Sequence, residues 1–191
     1  MSTTGEPTDQ NTRDQVQSLV DVLSERDGLK RRKAREALES MGSVIGPYMI
    51  EALASKHTSV KWEAAKALTN VTFPPAAPAL VNALMDESFE VEWLAAEALI
   101  NLGAHAVAPL LEGLIKHPTS VNLRQGAHHV LSDLNRRHPL DSGLLAVIEE
   151  LHSIVPTEPF PLVVRRALEN LPETDAGKID PNDAIDQGAN G

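Results

Sequence analysis

The chain has no cysteine, few aromatic residues and no long apolar run, and each shortage closes off a class of function. Without cysteine there are no disulfides, no thiolate metal ligands and no cysteine nucleophile, a pattern that fits a cytoplasmic setting. Aromatics make up only 3 % of the 191 residues while hydrophobic residues make up 42 %, so a core has to be assembled from Ala, Leu and Val. Ala and Leu are the best apolar helix formers, which points to closely packed helices. No uninterrupted apolar run reaches about 18 residues, so no membrane-spanning helix is expected, and no basic stretch leads into an apolar one as a secretory signal would; no membrane is expected among the partners. Basic charge is also scarce. The formal net charge is -10, of which residues 1–12 and 172–191 account for -2 and -4, leaving -4 for residues 13–171. An acidic chain repels phosphate backbones, which argues against a nucleic-acid partner.

What the chain does contain is a repeat. Val60-Lys61-Trp62-Glu63-Ala64-Ala65-Lys66-Ala67-Leu68-Thr69-Asn70 returns 31 residues later as Val91-Glu92-Trp93-Leu94-Ala95-Ala96-Glu97-Ala98-Leu99-Ile100-Asn101. Upstream, Gly46-Pro47, Ala77-Pro78 and Ala108-Pro109 keep the same spacing of 31. Looser copies flank these, with Ala37-Leu38 standing 30 residues before Ala67-Leu68, Val130-Leu131 standing 32 after Ala98-Leu99, and Ala167-Leu168 as a fifth. Each unit reads as two helices. The first opens at the Gly-Pro or Ala-Pro step, where proline loses no hydrogen bond. The second opens after a short polar stretch, with Thr58 or Ser59, and Ser88, as N-caps. Gly42 and Gly103 fall where a helix would end. Because one helical hairpin cannot bury its own apolar stripe but stacked hairpins can, the predicted fold is an all-α superhelix, a HEAT/armadillo-like solenoid of about five hairpins over residues 13–171. Residues 1–12 and the acidic 172–191 are short of large apolar side chains and are expected to be disordered tails.

These units resemble the HEAT-like repeats of phycobilisome lyases, in which a helix of the Val-Arg-Trp-Ala-Ala-x-Ala-Leu-Gly type closes the unit. The resemblance covers residues 16–135 well and 143–171 poorly. The arginine of that pattern is Arg31, Lys61, Glu92 and Arg124 across four units, which breaks any regular acid–base ladder between repeats. The helix-ending glycine is replaced around Val71–Phe73.

On a helical wheel Val60, Ala64, Ala67, Leu68 and Val71 form the packed face. The opposite side carries Trp62, Ala65, Lys66 and Thr69, with Glu63 and Asn70 at its edge, and the next unit repeats it as Trp93, Leu94, Ala96, Glu97, Ile100 and Asn101. Gln125, His128, His129 and Asp133 follow in the fourth unit, and Arg32, Arg35 and Glu36 in the first. In solenoids the second helices usually line the concave surface. The predicted partner-binding set is therefore Trp62, Glu63, Lys66, Asn70, Trp93, Leu94, Glu97, Ile100, Asn101, Gln125 and His129, with the two tryptophans on adjacent helices about 8–10 Å apart. Tryptophan dominates interface energetics, yet either ring equally suits a purely structural role over a neighbouring helix.

Other features carry less. The basic cluster Lys30-Arg31-Arg32-Lys33 wraps around a helix instead of forming one face. His128 and His129 are adjacent and point about 100° apart on a helix, so they do not chelate one ion together. No His-Glu dipeptide occurs, unlike the HEAT-like deoxyhypusine hydroxylases, which hold iron with such pairs, so no metal and no cofactor is expected. His129 would give a bound partner pH sensitivity. Glu63, Glu97 and Asp133 are the carboxylates of this face, but no phosphate loop or nucleophile elbow accompanies them and no catalytic residue is assigned. The sequence thus reads as a non-catalytic protein–protein scaffold. The alternatives are a tetrapyrrole-handling or enzyme-accessory role like that of the phycobilin lyases, and, third, nucleic-acid binding.

Overall fold

The computed structural model describes residues 6–153 and 159–171. Ten α-helices are present among them: α1 Glu6–Val22, α2 Gly28–Glu39, α3 Gly46–Leu53, α4 Thr58–Asn70, α5 Ala77–Ala83, α6 Phe89–Leu102, α7 Val107–Lys116, α8 Val121–Arg137, α9 Ser142–His152 and α10 Phe160–Glu169. Helix α1 begins at Glu6, inside the segment expected as an N-terminal tail; residues 1–5 and the acidic tail 172–191 lie outside the described residues.

The local chemistry explains the boundaries. Pro47 and Pro78 are the second residues of α3 and α5, and Pro109 the third of α7, where a missing N–H leaves no intrahelical bond unmade. Each of these three helices is entered through a short 3-10 turn, at Gly42–Ile45, Pro74–Ala76 and Gly103–Ala106. Gly42 and Gly103 take positive φ values of 66° and 61°, so the chain turns there in a conformation that only glycine adopts without strain. Asp27 caps α2 by accepting from the N–H groups of Leu29 and Lys30, and Ser120 caps α8 by accepting from Leu123. The N-cap of α4 is His57, one residue before the expected Thr58 or Ser59, while Ser88 does cap α6 by position.

The helices stack in two rows. First helices pack in the series α1–α3–α5–α7, and second helices in the series α2–α4–α6–α8. Between the rows lies one continuous core in which Leu38, Met49, Leu80, Leu99, Leu110 and Leu131 are fully buried. Each such leucine contributes about 1.5–3 kcal/mol through removal of its side chain from water. Glycines let the layers close up, since a Cβ on Gly46 would sit 2.3 Å from the Phe73 ring and one on Gly113 would sit 2.5 Å from Val81. The helical stretch Phe89–Lys116 has the length and hydropathy of a membrane span, but it is α6 and α7 separated by the turn at Gly103, and more than half of its most apolar window is buried in this core.

The fifth hairpin breaks the order. Helix α9 packs on α8, so it extends the second-helix row, and α10 packs on α7, so it extends the first-helix row. The expected equivalence of Ala167-Leu168 with the second helices is therefore corrected, because α10 stands in the other row. The connector also differs from those of the earlier units. Only His138–Asp141 joins α8 to α9, with no 3-10 turn to carry the chain across, and Asn135 accepts the Leu140 N–H at 3.0 Å to hold that loop against α8. Arg124 of α8 secures the inverted hairpin from inside, with its guanidinium 4.0 Å from the Phe160 ring centroid and a hydrogen bond of 3.2 Å donated to the Glu150 carbonyl.

Candidate functional site

The repeat spacing lays the second-helix row out as rungs. Gly28, Thr58, Phe89 and Val121 start the four helices; one turn on stand Arg32, Trp62, Trp93 and Gln125; then Glu36, Lys66, Glu97 and His129; then Ser40, Asn70, Asn101 and Asp133. In the third rung Glu36, Lys66 and Glu97 alternate in charge along the stack.

The first two rungs hold the least covered apolar surface on α6 and α8. Phe89 is 69 % exposed, Val121 63 % and Trp93 47 %. The Trp93 ring stacks on His129 of the neighbouring helix, with centroids 5.2 Å apart and planes 26° from parallel, and lies 6.4 Å from the Phe89 ring. His129 Nε2 is 3.7 Å from Glu97 Oε1, so the third rung closes under the stacked pair. Acidic groups flank the aromatics. The Glu90 carboxyl is held below the usual carboxylate range, first by its own backbone N–H and then by the Ser88 hydroxyl, which donates to it at 2.9 Å. Burial pushes the Glu92 carboxyl up. On the α9 side, His128 stacks on His152 at 5.4 Å, and burial, followed by the charges of His152 and His129, lowers its pKa.

At the other end of the row a cleft of about 290 Å³ opens between α2 and α4, lined by Gly28, Arg31, Arg32, Arg35, Trp62 and Glu63. Its polar groups are committed to one another. Arg35 Nε donates to Glu63 Oε2 at 3.0 Å, Arg31 Nε lies 3.4 Å from Glu63 Oε1, and Arg35 also pairs with Glu39. Arg31 further donates to the carbonyls of Glu25 and Arg26.

Residues 46–132 match the family model of HEAT repeats. That segment is a run of HEAT repeats. The fold is shared with a solved structure of the complex of CpcE and CpcF of phycocyanin lyase from Nostoc sp. PCC7120, at 20 % identity and a TM-score of 0.54, over 80 % of this chain and 96 % of that one. This agrees with the phycobilisome-lyase type of repeat that the sequence resembles. An engineered protein of solved structure aligns at 19 % identity over 81 % of this chain and 97 % of its own, with a TM-score of 0.40. No curated protein matches the chain.

Within the HEAT-repeat row the predicted residues separate into three groups. Trp93, Asn70, Asn101 and Gln125 are exposed, and Trp62, Lys66, Glu97 and His129 are half-buried. Glu63, Leu94 and Ile100 are buried, which corrects the expectation that they face a partner. A second helix in a HEAT stack touches the first helix of its own unit and the second helices on both sides, so its packed arc is wider than the single face drawn on the wheel. Asn101 has a structural task as well, donating to the Thr69 carbonyl at 3.0 Å and so satisfying the last turn of α4. The tryptophans share a repeat position but not an environment, since Trp62 walls the arginine cleft and Trp93 lies over His129. The apolar members of the predicted set, Trp62, Trp93 and Ile100, consequently form no continuous strip. Phe89 and Val121 take its place, and the residue-by-residue wheel missed them. Their signal was in the sequence, because Ser88-Phe89 and Ser120-Val121 recur at a spacing of 32 with a large apolar residue directly after the N-cap.

The carboxylates of the row have partners of their own, Glu63 with Arg35, Asp133 with Arg136 and Arg137, and Glu97 with His129. Among the described residues no group of three or more His, Asp or Glu side chains is placed to hold a metal ion.

Proposed function

We propose that the chain is a non-catalytic cytoplasmic scaffold that binds a protein or peptide partner along the second-helix row, centred on Trp93 and its neighbours on α6 and α8. The observation that carries this reading is the cluster of Phe89, Trp93 and Val121, three large apolar side chains left open to water on adjacent helices whose other faces are packed. Apolar side chains grouped in this way on an otherwise polar surface mark contact sites, and an aromatic anchor is the commonest energetic centre of one. That the similar solved structure is a complex of two proteins supports a protein partner. The test places a photo-crosslinking residue at exposed Gln125 on α8 or at exposed Asn82 on α5. Discrete adducts are expected from position 125 and not from position 82, and Phe89→Ala with Trp93→Ala should remove them. Equal adducts from both rows would sink the assignment.

A second reading is a flat tetrapyrrole seated on the Trp93–His129 stack. It is favoured by the planarity of that pair and by the phycocyanin lyase named for the similar structure. Mixing with free bilin should then shift the visible band, and an unchanged spectrum removes this reading.

A further inference from the structure

Building on the docking reading of the row, we propose that the partner presents a cationic side chain, Lys or Arg, to an aromatic–acidic site on α6 formed by Phe89, Trp93, Glu90 and Glu97. On a helix, residues three and four apart are neighbours about 5–6 Å apart at Cβ. Glu90 and Glu97 therefore stand one turn before and one turn after Trp93, while Phe89 is one turn before it on the same stripe. A cation over the open face of Trp93 meets an electron-rich ring with a carboxylate on either side, the arrangement that attracts ammonium and guanidinium groups.

The surroundings favour this charge sign. From Asp86 to Leu102 the sequence carries Asp86, Glu87, Glu90, Glu92 and Glu97 and no Lys or Arg. Lys61, which reaches into this region from α4, is committed to Asp86. Arg124 on α8 is turned to the Phe160 ring and the Glu150 carbonyl. Glu90 is the fixed point of the site, since its hydrogen bonds to Ser88 and to its own N–H favour the ionised form. The same charges disfavour a phosphate backbone or an anionic membrane at this place. Apolar Val121 on the next helix completes the complement, so the fitting segment is basic and amphipathic, with an apolar anchor beside its cation.

The experiment uses the full chain and two synthetic peptides of equal length, one alternating Leu with Lys and the other Leu with Glu, with tryptophan fluorescence as the readout. The Leu–Lys peptide should change the emission of the wild type but not of Trp93→Phe, which keeps only Trp62 as a fluorophore. Its affinity should fall roughly tenfold in Glu90→Gln/Glu97→Gln. The same charge change on the first-helix row, Glu51→Gln/Glu112→Gln, should leave it unaltered, which separates a site from the general pull of an acidic protein. Raising salt from about 50 to about 500 mM should weaken binding, because Glu90 is exposed and Glu97 only half-buried. If both peptides move the Trp93 signal equally, or if the Glu90/Glu97 variant binds as the wild type does, the cationic assignment is wrong while the docking row stands. If neither peptide moves it and position 125 also yields no adducts, both fall together.

Discussion

Glu63 offers the sharpest test of how the first two units are joined. Its residue exposure is 3 %, that of Arg35 is 7 %, and the two meet at 3.0 Å between α2 and α4. Replacing Glu63 by Gln keeps the volume and removes the charge, so Arg35 is left inside the interface with Glu39 alone as its counter-ion. Breaking a buried pair from one side costs about 3–5 kcal/mol, and the retained Glu39 places this case near the lower end, at about 3 kcal/mol. For a chain of this size each kcal/mol lowers Tm by about 2–4 °C, so a fall of at least roughly 6 °C is expected. Stacked repeats need not unfold in one step, so amide exchange of α2 and α4 should be followed beside the thermal transition, and those two helices should lose protection first. Replacing the pair together, Glu63→Leu with Arg35→Met, should recover at least half of the loss, since an apolar pair carries no desolvation cost. A Tm within about 2 °C of wild type for Glu63→Gln would refute the reasoning, because it would mean that water already screens the pair.

Two further outcomes follow from the packing and the titration of the stack. Gly46→Ala should destabilise by about 1–3 kcal/mol because its Cβ meets the Phe73 ring at 2.3 Å, whereas Gly103→Ala should cost a similar amount with no clash at all, purely from its φ of 61°; urea midpoints of the two variants, with and without Phe73→Leu, separate the causes, since only Gly46→Ala should be relieved. His128 has a folded-state pKa lowered from 6.5, chiefly by burial, so the unfolded chain binds the proton more readily and this contribution to stability is intact above pH 6.5 and lost as the pH falls below it; urea midpoints compared on either side of that pH should show the loss, and His128→Gln should flatten it.

The fold was legible because it repeats. The spacing of 31 between Trp62 and Trp93, and the apolar set Val60, Ala64, Ala67, Leu68 and Val71, define a helix and its packed face without any tertiary information, and all five are buried. The candidate surface was legible only in part. Ala65 and Ala96 stand at one repeat position on the supposed open side and are buried, as are Leu94 and Ile100. A small residue recurring at one position signals close approach of a neighbouring helix, and that signal marks a boundary of the exposed strip that a hydrophobic wheel does not draw. The role of Glu63 had no local signature, because its partner lies 28 residues away and the pairing depends on the register between α2 and α4.

The inverted fifth hairpin bears on how the row is bounded. In a regular stack the outer face of the last second helix is a free edge, open to a further unit. Here α9 covers α8 on that side, joined by the His128–His152 stack and held by Arg124 through Phe160 and Glu150. The row therefore ends one helix beyond α8, and the exposed aromatics on α6 sit near its middle, with α2 and α4 on one side and α8 and α9 on the other. On the proposed docking reading, a partner centred on Trp93 would have a helix to contact in both directions along the row, the placement in which an exposed aromatic residue is best shielded from water once bound. The fifth hairpin thus leaves α6 third of five helices in the row, the place it would also hold in a regular stack, and the inversion changes only which helix of that hairpin closes the row, α9 in place of α10.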